Sequence, residues 1–174
     1  ICMNEDSIKA RLLATTALAS NYCLTLENAR EMEKDEFVKE MLSLLPAIYL
    51  DFSSIDVEDL PEQSEFEYFA SYVDEDFYES VRRNVETLMG PDDVFLETFE
   101  EDMKYSDTPI GSSVAECLAD IFQPLCNYIS VVRDSDGESA PAAFRECREN
   151  FEGYWSQTLC NVMRALNHIR YSPS

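Results

Sequence analysis

Histidine occurs once in this 174-residue chain, at His168, tryptophan once, and glycine only four times. Each scarcity removes a chemistry. One histidine cannot furnish a His-rich zinc site or the paired Glu-x-x-His motifs of a ferritin-like di-iron centre. A Ser-His or Cys-His nucleophile would depend on His168 alone, near the end of the last predicted helix. Four separated glycines (Gly90, Gly111, Gly137 and Gly153) leave no glycine-rich loop to cradle phosphates. Basic residues are scarce as well, 13 Lys plus Arg against 35 acids for a formal net charge of −22. That balance provides no basic face for nucleic-acid phosphates, so no direct nucleic-acid partner is expected. No apolar run reaches the roughly 18–20 residues that cross a bilayer as a helix, and no membrane partner is expected either.

What is abundant is apolar and acidic. The chain is 45% hydrophobic, enough for a packed core, and its length suits one domain spanning residues 1–174. The acid is concentrated: residues 51–107 hold nineteen Asp and Glu against Arg82, Arg83 and Lys104, which accounts for −16 of the net charge. Such a surface is either solvated or a docking face for a basic partner. Six cysteines (Cys2, Cys23, Cys117, Cys126, Cys147 and Cys160) form no CxxC pair, and five of them fall within helical patterns. They read as reduced thiols in a cytoplasmic protein. Lys9 and Arg11 ahead of Leu12-Leu13-Ala14 imitate a leader peptide, but Glu5, Asp6, Thr15 and Thr16 spoil the imitation. The segment reads as a structural helix.

The apolar spacing is helical nearly throughout. A first helix is expected from Ser7, as N-cap, to about Arg30. A second starts near Asp35, with a kink or break at Pro46. Residues 53–64 read as a loop, and a short extended piece leads to a third helix capped by Asp74 and stopped by Gly90-Pro91. Residues 92–106 read as irregular, anchored by Phe95, Leu96 and Phe99. Thr108-Pro109 opens a fourth helix, with a kink at Pro124 and a stop at Asp136-Gly137. A fifth runs from Ser139 or Ala140 to about Ile169, with Phe151, Tyr154 and Trp155 in the core and Gly153 at a close helix contact. Together these make an all-α bundle of five main helices with an acidic, irregular middle segment.

Candidate chemistry is sparse. The run from Asp134 begins like a calcium loop but has Ser139 where the turn glycine belongs and Arg145 where the last acid belongs. Helix-borne carboxylates raise a metal-dependent hydrolase using Mg²⁺ or Mn²⁺: Glu97 and Glu100 have E-x-x-E spacing, but Glu116 and Asp120 are one residue too far apart for E-x-x-D. These four are expected not to converge. A second candidate is the expected helix start at residues 105–110. Unpaired amides there suit an anion, Tyr105, Ser106, Asp107 and Thr108 surround it, and Arg164 is available to add positive charge; the alternative is plain capping by Asp107 and Thr108.

Two stretches carry a family resemblance. Tyr105-Ser106-Asp107-Thr108-Pro109-Ile110 followed by Ala115-Glu116-Cys117-Leu118-Ala119-Asp120-Ile121 is one; Asn150-Phe151-Glu152-Gly153-Tyr154-Trp155 followed by Arg164-Ala165-Leu166-Asn167-His168 is the other. The chain resembles the bacterial domain-of-unknown-function family 5063. That implies a compact helical protein of similar length and carries no activity or site residues. The expectation is an interaction or regulatory protein without a cofactor, docking a protein partner with basic character, rather than an enzyme.

Overall fold

Asn4 opens the first helix. Its Oδ1 accepts the Ser7 N–H at 2.8 Å, satisfying one of the amides a helix start leaves unpaired. Ser7 therefore lies inside the first turn instead of capping it, because an equally good cap stands three residues earlier. The structure, a computed structural model, describes residues 4–61, 69–97 and 110–172. Its α-helices are α1 (Glu5–Glu27), α2 (Lys34–Ser54), α3 (Glu75–Met89), α4 (Val114–Asp134), α5 (Ala140–Asn150) and α6 (Ser156–Tyr171). These six segments match the expected five helices, since α5 and α6 are one helix joined through a π turn at Phe151–Trp155.

Proline does not break α2. The helix runs through Pro46 uninterrupted, because Leu44, Leu45, Ile48 and Phe52 around it are buried and packing outweighs one lost hydrogen bond. Pro124 likewise lies within an unbroken α4. After α2 a short 3₁₀ turn at Val57–Asp59 follows, held by two arginines of α5. Arg145 donates to the carbonyls of Val57 (3.3 Å), Leu60 (3.0 Å) and Pro61 (2.8 Å). Arg148 donates to the Ile55 carbonyl at 2.6 Å.

Asp74 caps α3 as expected, its Oδ1 accepting the Phe77 N–H at 2.8 Å. Gly90 ends the helix at φ +57, a conformation that favours glycine. Within the segment expected to be irregular, residues 94–96 form a strand. β1 (Val94–Leu96) pairs antiparallel with β2 (Gly111–Ser113) in the register Val94↔Ser113, Phe95↔Ser112 and Leu96↔Gly111. Three-residue strands, one of them Gly-Ser-Ser, are too short to show an alternating pattern. This ribbon also corrects the start of the fourth helix, which begins at Val114 with Ser113 as its cap. Thr108 and Pro109 lie outside the described residues.

α4 is the central helix, packing against α1, α3, α5 and α6. Its apolar stripe and those of its neighbours bury one continuous core. Phe52, Phe144, Phe151 and Trp155 form an aromatic cluster within it: Phe52 stacks on Phe144 at 5.0 Å and meets Trp155 edge-on at 5.0 Å. The indole N–H of Trp155 donates to the Cys147 carbonyl at 3.3 Å, so burial leaves no orphaned donor. Tyr22, also fully buried, donates to the Leu118 carbonyl at 2.6 Å. Among the described residues no helix is long and apolar enough to cross a membrane.

Candidate functional site

The end of the β-ribbon and the start of α4 bring several acids together. Asp93, 6% exposed, precedes β1 and turns its carboxylate onto the first turn of α4. Oδ1 accepts the Ala115 N–H at 2.8 Å and Oδ2 accepts the Ser113 hydroxyl at 2.7 Å. An anion at a helix N-terminus meets both unpaired amides and the positive end of the dipole. Asp93 thus occupies the anion position of this helix itself.

One turn further on, α4 faces a polar cleft of about 330 Å³ whose lining includes Glu97, Ser112, Cys117, Asp120, Gly153, Tyr154 and Asn161. Asp120 is held by two phenols: Tyr78 from α3 donates to Oδ1 at 2.6 Å and Tyr154 from the π turn donates to Oδ2 at 3.0 Å. Burial and the Asp120 carboxylate raise both phenols, Tyr154 to about 12 and Tyr78 further, so both are donors at neutral pH. Glu97, only 9% exposed, follows β1 and anchors its own N–H on the Ile110 carbonyl at 2.7 Å. Its Oε2 accepts the Asn161 amide of α6 at 3.2 Å. In the same cleft, Cys117 Sγ lies 3.7 Å from the Ser112 hydroxyl. Burial pushes this thiol up to about 12, with the charges of Glu97 and Asp120 adding to the effect. It is a thiol and not a nucleophilic thiolate.

The four carboxylates of the hydrolase reading are thus divided. Glu97 and Asp120 line the same cleft. Glu116 lines a neighbouring recess with Tyr78, Glu79, Arg82, Glu86 and Asp93, and Glu100 lies outside the described residues. Among the described residues no three His, Cys, Asp or Glu side chains are grouped to hold a metal ion. Of the anion-site candidates, Tyr105, Ser106, Asp107 and Thr108 lie outside the described residues. Arg164 donates to the Leu96 carbonyl at 2.5 Å and lies over the Phe95 ring at 5.8 Å, tying α6 to β1. His168 is exposed and shares a 2.8 Å hydrogen bond with the Ser172 hydroxyl.

Two residues differ from their sequence reading. Tyr154 is 58% exposed at the cleft rather than in the core, because the π turn rotates it away from Trp155's side. Gly153 makes no close helix contact: a methyl built on it meets nothing within 4 Å. Tyr78, Asp93 and Asn161 carried no sequence signal for their roles, since each acts through a partner many residues distant.

The comparisons with known proteins agree with this architecture. The model of one family, described as Domain of unknown function (DUF5063), matches residues 7–172. The chain belongs to DUF5063. The crystal structure of protein BF1032 from Bacteroides fragilis is similar to this DUF5063 chain, with a TM-score of 0.78, 29% sequence identity and 94% of each chain covered. Among curated proteins nothing matches. The resemblance carried by the Tyr105–Asp120 and Asn150–His168 stretches is therefore a true family relationship, and the bundle is the DUF5063 fold.

Proposed function

We propose that this DUF5063 protein is a docking protein of the cytoplasm that receives a cationic side chain of a protein partner between Glu97 and Asp120. One observation carries the reading: both carboxylates are held in place by neutral donors, Tyr78, Tyr154 and Asn161. Among the described residues no Lys, Arg or His lines their cleft. A guanidinium or ammonium arriving from outside meets acceptors already oriented, which is where charge-assisted hydrogen bonds gain most. The net charge of −22 steers a basic partner toward the chain. Five described cysteines stand as free thiols, which supports a reducing compartment.

The hydrolase reading is the alternative, favoured by Glu97 and Asp120 lining one cleft. It is the weaker because Glu116 opens elsewhere and the Cys117 thiol of the cleft is protonated. Fluorescence anisotropy with an arginine-containing peptide, its lysine counterpart and an acidic control tests the choice. The expected result is binding of the cationic peptides that weakens about tenfold or more, equivalent to about 1.4 kcal/mol, in Asp120→Asn and in Glu97→Gln. Binding indifferent to both substitutions overturns the proposal. Saturable Mn²⁺ uptake with phosphoester turnover, lost in the same variants, establishes the alternative.

A further inference from the structure

The first helix carries large apolar residues on opposite sides, yet only one side of it is covered. Ile8, Leu12, Ala19, Tyr22, Cys23 and Leu26 are buried. On the opposite side Ala10, Leu13, Ala14, Ala17, Asn21 and Leu24 face solvent, with Leu13 71% and Leu24 57% exposed. A helix with apolar residues on every side is ordinarily covered on every side. Charge points to what covers this one. From Ser7 to Leu26 there is no acid at all, only Lys9 and Arg11, in a chain of net charge −22. Most of this acidic surface repels a second copy; between Ser7 and Leu26 the helix itself adds no such repulsion, and the acids beside it, Asp136 and Glu138, line a cleft with Lys9 and Leu13.

The spacing is self-complementary. Lys9 and Glu27 are separated by eighteen residues, five full helical turns, so they stand on one line along α1 about 27 Å apart. Leu13 and Leu24 are separated by eleven residues, close to three turns, and share a second line beside the first. In an antiparallel pair of α1 helices, the two-fold axis that sets Lys9 level with the partner's Glu27 also sets Leu13 within about one residue, 1.5 Å, of the partner's Leu24. The small Ala17 falls at the crossing, where close approach is needed. Neither Lys9 nor Glu27 has an ion-pair partner among the described residues, and partial burial raises the Glu27 carboxyl above its usual range, as befits an acid with no cation beside it. We infer that the exposed face of α1 is the contact between two copies of this chain, packed antiparallel about Ala17, with reciprocal Leu13–Leu24 and Lys9–Glu27 pairs. The contact is independent of the Glu97–Asp120 cleft.

A single helix pair buries a small area, below the roughly 1,200 Å² of standard interfaces, so the dimer is reversible. Sedimentation velocity from micromolar to millimolar protein is the test, with circular dichroism melting as the check on folding. The wild type is expected to shift from monomer to dimer across that range. Leu13→Glu should remain monomeric with an unchanged fold. Lys9→Glu and Glu27→Lys should each weaken dimerisation about tenfold, and the double reversal should restore it. Within one helix the two residues are too far apart to interact, so that rescue requires the antiparallel pair. A wild type that stays monomeric throughout, a dimer that survives Leu13→Glu, or a double reversal no better than the single variants overturns the inference.

Discussion

Asp93 and Asp120 are both acids against α4, both accept two hydrogen bonds, and yet they serve different ends. Asp93 takes a backbone N–H and the hydroxyl of the capping serine, both within three residues of each other at the helix start. It is sealed in and acts on its own chain. Asp120 takes two phenols from α3 and the π turn, and its carboxylate opens on a cleft. Backbone donors do not move when a ligand arrives; phenols on side chains can turn and share. The contrast teaches that an acid's role here is set by whether a main-chain amide is among its donors.

Substitutions sharpen that contrast. Asp93→Ala strips a buried amide and a half-buried hydroxyl of a charged acceptor, and should cost about 2–3 kcal/mol, read as a lower denaturant midpoint with unchanged slope. Asp120→Asn should cost less than about 1 kcal/mol while removing cationic-peptide binding. A loss of stability equal to that of Asp93→Ala would dissolve the distinction. Gly153→Ala fills open space in a helical turn and should raise stability by about 0.5–1 kcal/mol, detectable as a higher melting temperature.

The smallest effect is in alkali. Tyr128, through burial, and Tyr154, through burial and Asp120, are both pushed up to about 12, above the usual value near 10. The folded state therefore holds protons that the unfolded chain releases, so the stabilisation is intact below about pH 10 and is lost as pH rises through about 12. Urea midpoints measured across this range should fall, and absorbance at tyrosinate wavelengths should show late-titrating phenols. Tyr154→Phe should flatten part of the decline and change stability at neutral pH by only a few tenths of a kcal/mol.

The parts of this molecule that are legible in its sequence are those decided locally or by period. Asp74 as a cap, Gly90 and Asp136-Gly137 as stops, and the apolar stripe of α4 all follow from neighbours within a few residues. Pro46 misleads because the cost of one hydrogen bond is visible in the sequence while the burial of Phe52 and Ile48 around it is not. The β-ribbon is hidden because its two strands are three residues long and one is Gly-Ser-Ser. The cleft is hidden for a different reason: Tyr78 reaches Asp120 across 42 residues and Asn161 reaches Glu97 across 64, separations that no local pattern encodes. Of the acids singled out by spacing, Glu97 and Asp120 line one cleft through tertiary packing that the E-x-x-E motif does not describe.

The π turn at Phe151–Trp155 gives the long C-terminal helix one residue of slack in length. Such a turn closes with the Ser156 N–H on the Phe151 carbonyl, one residue more than an α-helical turn, and so amounts to an extra residue spliced into a helix. Removing one codon here, for instance that of Gly153, lets the turn close as a regular α-helical one, so that α5 and α6 merge with Leu159, Val162 and Leu166 still on the core side. A codon removed within α6 has no such reserve and rotates everything downstream by about 100°. Related chains are expected to tolerate a one-residue alignment gap across 151–155 and none within α6.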